Sequence, residues 1–171
     1  MKQGLKLIFM GVCGSGKTTL AERTASYLNC EPVLEADTFH TPDMKEKMRS
    51  GTPLTDEDRW PWLERIRQAM LASGEQTVIV TCSALRRAYR DLLVSGELDG
   101  RVVFLFLDVS RETIRKRLAV RQHEYMPASL LGSQFNTLER PADDEPVVFI
   151  TAEGSEEEVF ARITQELDRL T

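Results

Sequence analysis

Short apolar runs alternate along the chain with stretches whose apolar residues recur at helical spacing. The runs are Leu5–Met10, Pro32–Ala36, Thr77–Thr81, Val102–Leu107 and Val147–Ile150. They are nearly continuous in apolarity rather than alternating, which predicts strands of a parallel sheet buried on both faces. Leu20, Ala21, Thr24, Ala25 and Leu28 share one helical face, as do Leu63, Ile66 and Met70, and again Val159, Phe160, Ile163, Leu167 and Leu170. Several boundaries are legible. Thr41 and Pro42 read as N-cap and first residue of a helix that Gly51 ends. The next helix starts between Asp56 and Pro61 and stops before Gly74, and Ser155 with Glu158 forms a capping box for the last one. The expected fold is α/β, with helices on both faces of a parallel sheet of about five strands. No repeat, linker or low-complexity tract divides the 171 residues, so residues 1–171 are read as a single domain.

One junction carries recognisable chemistry. Gly11-Val12-Cys13-Gly14-Ser15-Gly16-Lys17-Thr18 fits G-x-x-x-x-G-K-S/T, with an expected strand before it and an expected helix after it. Glycines let backbone N–H groups close around phosphate oxygens, and the new helix turns its positive end toward the anion. The candidate nucleotide-binding positions are Gly11, Cys13, Gly14, Ser15, Gly16, Lys17, Thr18 and Thr19. Lys17 reaches the β- and γ-phosphates, and the Thr18 hydroxyl is the candidate Mg²⁺ ligand. Ligands in such sheets bind beyond the carboxyl ends of the strands. That rule selects Asp37 and His40 after the second strand, Cys82 and Ser83 after the third, and a polar segment from Arg121 to Pro127 as a lid. No Asn-Lys-x-Asp motif for guanine is present, and the third strand ends in Thr81-Cys82-Ser83 without an aspartate. Glu35 and Asp37, two apart at a strand end, are suited to assist the metal if the chain stays extended; either one also suits a capping role.

Composition narrows the class. A hydrophobic content of 42% is ordinary for a globular protein, and a net charge of -5 argues against nucleic acid as a partner. No run approaches a membrane span and the first residues lead straight into a strand, so neither a membrane anchor nor a signal peptide is expected. Cys13, Cys30 and Cys82 lack metal-ligand spacing and fit reduced thiols in a cytoplasm. Cys13 reads as a small loop filler.

Longer stretches carry a resemblance. Asp37-x-x-His40, the segment from Glu46 through Gly51, Pro53, Leu54, Asp56, Asp58, Arg59 and Pro61 to Leu63, the segment Cys82 to Leu93, and Ser133-Gln134-Phe135-x-Thr137-Leu138-Glu139 are similar to the P-loop gluconate kinases, relatives of shikimate and nucleoside monophosphate kinases. The resemblance extends from the phosphate loop to about Glu145 and implies transfer of the γ-phosphoryl of ATP to the 6-hydroxyl of D-gluconate, with Mg²⁺. It implies that Asp37 prepares the acceptor hydroxyl, that His40 lies at the substrate, and that Arg59 holds the sugar-acid carboxylate with paired hydrogen bonds. Arg117 and Arg121 resemble an R-x-x-x-R pair, one stacking on adenine and the other contacting phosphates, with Arg121 capping the charge that develops in transfer. The lid is expected over residues 121–135, and a homodimer is implied by the resemblance alone. The chain departs from the family pattern at Thr41, Met44 and Glu124, where acceptor recognition and closure are set.

Each assignment has a competing reading. Arg59 is placed equally well in an ion pair with Asp56 or Asp58. Arg86, Arg87 and Arg90 form either an exposed basic helix face or a substrate contact, with Arg87 and Ser83 the candidates for the latter. Trp62 reads as core rather than as a sugar platform. The competing functions are a kinase for another small sugar acid or hydroxy acid, a nucleoside monophosphate kinase, and a non-catalytic nucleotide-binding module.

Overall fold

The computed structural model describes residues 4–30, 32–120 and 128–170. Five strands form one sheet: β1 (Lys6–Met10), β2 (Leu34–Glu35), β3 (Val78–Thr81), β4 (Val102–Asp108) and β5 (Val147–Thr151), in the order β2-β3-β1-β4-β5. Every neighbouring pair is parallel, with Ile8 opposite Val80 on one side and Phe104 on the other. The expected topology is therefore present, and β1, which leads into the phosphate loop, is the central strand.

The pleat sends alternate residues of each strand to opposite faces. On one face Leu7, Phe9, Leu105 and Leu107 meet α1 (Lys17–Leu28), α5 (Arg111–Val120), α6 (Ala128–Thr137) and α7 (Glu156–Arg169) through Leu20, Ile114, Leu131 and Ile163. On the other, Ile8, Met10, Phe104 and Phe106 meet α3 (Asp56–Ala72) and α4 (Arg87–Val94) through Leu63, Ile66, Met70 and Leu93. All five residues of β1 are buried, which explains a strand without alternation. Among the described residues no helix is long and apolar enough to cross a membrane.

The anticipated caps are formed. Thr41 accepts from the Met44 amide at the start of α2 (Pro42–Arg49), and Ser155 and Glu158 make a reciprocal capping box on α7. Thr55 and Asp58 do the same for α3, which starts at Asp56 and carries Pro61 inside it. One element differs from expectation. The second strand pairs only at Leu34–Glu35, and the chain then tightens into a 3-10 turn over Ala36–Phe39. Glu35 and Asp37 are thus not two steps along one extended strand. The Trp62 indole donates to the Ala36 carbonyl at 2.8 Å, and the Thr38 hydroxyl donates to the Glu35 carbonyl at 2.7 Å, so the turn has partners that a strand would not supply.

Candidate active site

The loop between β1 and α1 is shaped by backbone requirements. Gly16 takes φ 98° as N-cap of α1, a left-handed conformation that costs an ordinary residue about 1–2 kcal/mol. Gly11 takes φ 144°, and a Cβ there would lie 3.2 Å from the Leu107 carbonyl oxygen. The Gly11 amide donates to the Ser83 carbonyl at 3.2 Å, tying the loop to the end of β3. α3 and α7 each place three acidic residues in their first turn, whereas α1 has none and no side-chain cap. Its positive end is left open to an anion. Ser15 is buried and its hydroxyl has no hydrogen-bond partner among the described residues, a donor at the base of the loop that a phosphate oxygen would satisfy.

This loop forms one wall of a cleft of about 930 Å³. Lys17, Thr18 and Thr19 come from the loop and the start of α1; Glu35 and Asp37 come from the end of β2 and the turn after it; Cys82, Ser83, Trp62 and Gln134 complete it. The Lys17 ammonium donates to the carbonyls of Gly11 and Val12, both at 3.0 Å. Burial lowers its pKa, while the nearby Cys13, Cys82, Asp37 and Glu35 oppose that shift. Glu35 accepts a short hydrogen bond from the Thr81 hydroxyl, which orients its carboxylate from the end of β3. Thr81 thereby joins Glu35 to the end of β3, which carries no aspartate of its own.

His40 stacks on Trp62 with ring centroids 4.8 Å apart. Burial lowers its pKa and Lys45 lowers it further, against the pull of Asp37. Trp62 is both things at once: it packs against the core and lines the cleft, which corrects its reading as core alone. Arg117 lies beside the loop in a smaller cavity of about 110 Å³, shared with Gly14, Ser15, Gly16, Thr19 and Gly154, and donates to the Ala152 carbonyl at 2.5 Å. Arg121 lies outside the described residues, as do Glu124 and residues 121–127 of the expected lid.

Two arginines are not where the sequence led. Arg59 does not line the cleft: its guanidinium lies 3.3 Å from Asp56 and 3.1 Å from the Tyr89 hydroxyl. Tyr89 and Arg86 also meet the Asp56 carboxylate, which sits below its ordinary pKa chiefly through the Tyr89 hydrogen bond. The pairing with Asp56, weighed as the competing reading, is the arrangement found. Arg87 makes a bidentate pair with Asp144 at 2.9 and 2.7 Å and lines a separate cavity, so it is not a cleft residue. Nor is the Arg86–Arg90 group an exposed face, because Arg90 is 1% exposed and bonds to Glu145, Ala84 and Glu139. Met44, a point of departure from the family pattern, is buried in the packing of α2.

Gln134 is a cleft residue to which the sequence attaches no role. Gln134 Oε1 accepts from the Cys13 amide at 2.6 Å. The motif around Gln134 was visible, but nothing local pairs it with a loop 121 positions earlier.

Residues 7–141 match a protein family described as an AAA domain. The chain is 43% identical over 150 residues to the thermosensitive gluconokinase of Escherichia coli K12, covering 86% of this chain and 79% of that protein. It is 43% identical over 159 residues to the gluconokinase of Gluconobacter oxydans 621H, covering 89% and 86%. The crystal structure of a gluconokinase from Sinorhizobium meliloti 1021 superposes with a TM-score of 0.88 at 36% identity, covering 99% of this chain and 95% of that one.

Proposed function

The chain belongs to the gluconokinase family, and from that premise we propose that it transfers the γ-phosphoryl group of ATP to the 6-hydroxyl of D-gluconate. The observation that carries the reading is a phosphate loop and a carboxylate, Lys17 and Asp37, lining one cleft. Loop amides other than that of Cys13, which Gln134 engages, and the Ser15 hydroxyl hold the phosphates. Lys17 exchanges two neutral carbonyl partners for charged phosphate oxygens, a stronger class of hydrogen bond. Asp37 orients the acceptor hydroxyl and takes its proton; the new O6–P bond forms as the bond from phosphorus to the β-phosphate oxygen breaks, leaving ADP. Arg117, which lines the small cavity beside the loop, is assigned to the nucleoside end of ATP on the resemblance. Arg121 is assigned the developing charge on the resemblance alone.

The site fits Mg²⁺. That ion prefers hard oxygen ligands and takes only one or two from the protein when it rides on nucleotide phosphates. The Thr18 hydroxyl and the Glu35 carboxylate, oriented by Thr81, would supply them. When bound, the ion neutralises phosphate charge. The same reading assigns the protein to the cytoplasm.

Release of ADP, coupled to a spectrophotometric readout across a panel of sugar acids, tests the proposal. Turnover with gluconate is expected; activity on another aldonate with none on gluconate would reject the acceptor. Asp37→Asn should lower kcat by about 100-fold or more with nucleotide affinity retained, as loss of a general base does. Lys17→Ala should weaken nucleotide binding and turnover together. Near-normal turnover in either variant would refute its role.

A further inference from the structure

We propose that Gln134 is a further catalytic residue, whose side-chain NH₂ donates a hydrogen bond to the phosphoryl group in transfer; the inference rests on the kinase reading above.

The orientation of this carboxamide is fixed by chemistry. A backbone N–H is a donor only, so the Gln134 atom 2.6 Å from the Cys13 amide must be the oxygen. That commitment leaves Nε2 with two donor hydrogens, and Nε2 has no hydrogen-bond partner among the described residues. The side chain lines the cleft it shares with Lys17, Asp37 and Ser83. Cys13 directly precedes Gly14-Ser15-Gly16, the segment that turns beneath the phosphates. Because Asp37 lines the same cleft, a donor anchored to the loop at Cys13 is within the space that a phosphoryl group in transfer would cross.

The anchor is stiff. Gln134 stands on α6, whose Leu131 is buried and whose Phe135 packs against the core, as does Leu138 just past the helix end. The Leu138 amide donates to the Gln134 carbonyl at 3.0 Å, and the Glu139 amide then donates to the Leu85 carbonyl at 2.8 Å, which fastens the end of α6 to the loop after β3. Such a donor needs little reorganisation when charge develops on the phosphoryl oxygens. Being neutral, it adds no repulsion toward Lys17 or a metal ion.

The experiment compares Gln134→Leu and Gln134→Glu with the wild-type protein. Leu removes the donor; Glu keeps an acceptor for the Cys13 amide but replaces the donor with a negative charge. Thermal melts and calorimetric titration with ADP and with a non-hydrolysable ATP analogue accompany the turnover assay. A hydrogen bond to a charged group corresponds to about tenfold to a hundredfold in rate or affinity. The expected result is a fall in kcat of about that size in both variants with gluconate KM within about twofold. Affinity for the ATP analogue should drop while ADP affinity is retained, most clearly for Glu. Unchanged kcat in both variants with wild-type activity intact overturns the proposal. Equal losses for ADP and the analogue overturn it in favour of a loop-shaping role. Tighter nucleotide binding by the Leu variant overturns it in favour of a side chain that competes with phosphate. An inactive wild-type protein that still binds nucleotide would refute the kinase reading itself, a failure distinct from these.

Discussion

Replacing Arg90 by methionine tests what holds the back of the cleft together. Arg90 and Glu145 have side chains 2% and 4% exposed, and they are joined by a hydrogen bond of 2.6 Å. The guanidinium also donates to the Ala84 carbonyl at 2.8 Å and the Glu139 carbonyl at 2.9 Å. It therefore clamps together the loop after β3, the end of α6 and the segment leading into β5. Methionine preserves much of the volume but leaves a buried carboxylate whose remaining described partner is the Ala142 amide at 2.8 Å. Orphaning one member of a buried ion pair costs about 3–5 kcal/mol. For a domain of this size that corresponds to a fall in Tm of about 6–20 °C. Burial raises the Glu145 carboxyl, but Arg90 and the Ala142 amide outweigh it and hold the group below its ordinary 4.5. Because the folded value is depressed, the stabilisation is complete above pH 4.5 and is lost as pH falls through the folded value. Without Arg90 burial prevails, the carboxyl rises, and the deficit of the variant shrinks as the acid is protonated. Urea unfolding followed by circular dichroism, at several pH values, measures this. Arg90→Met/Glu145→Leu should recover at least about 1 kcal/mol relative to Arg90→Met, since no charge is stranded. A loss below about 1 kcal/mol for Arg90→Met, or a double variant as unstable as the sum of its singles, would refute the reasoning.

Other parts of the molecule give independent tests. Lys6 is fully buried and donates to the Ser73 hydroxyl and to the carbonyls of Gly74 and Gln76. Lys6→Met should lower the urea midpoint by an amount worth about 2 kcal/mol or more, because those acceptors lose their donor. Ser155→Ala removes the cap of α7 and should cost about 1 kcal/mol, read as a Tm lower by about 2–4 °C with turnover unchanged. Asp58 is held at about 2 by the Lys47 ammonium and the Thr55 amide, against an ordinary 3.8. Its folded value is depressed, so its contribution is present above pH 3.8 and disappears as pH falls toward 2. Asp58→Asn should lower the urea midpoint at pH 6 and converge with the wild type at the acid end; a constant gap across that range would show that the ion pair is not its origin.

The framework was legible because its signals are local. Continuous apolar runs mark β1 and β4, the Ser155–Glu158 spacing marks a helix start, and the glycines before Lys17 mark the loop. The 3-10 turn at Ala36–Phe39 was not legible, because its partner is the Trp62 indole 26 positions away. The arginines were hardest. Nothing in the neighbourhood of Arg87 says that Asp144 will meet it, nor in that of Asp56 that it will gather Arg86 and Tyr89 besides its near neighbour Arg59. A charged side chain on a flexible stem is satisfied by whichever counter-charge the tertiary fold delivers. Its residue type predicts an ionic partner and leaves the choice between protein and substrate open. Gln134 belongs to the same class, its meaning supplied by a contact across the fold.

The two walls of the cleft hang on the sheet very differently. One springs from the innermost strand and is pinned to both neighbours; the other is tethered at its margin by a rung pairing Leu34 with Val80 and Glu35 with Thr81. Changes between Thr38 and Thr55, outside the sheet and before α3, therefore leave the pairings of β1 and the cradle that follows it as they are. Divergence of substrate preference among such enzymes then needs remodelling of a peripheral flap and no redesign of the engine beneath it.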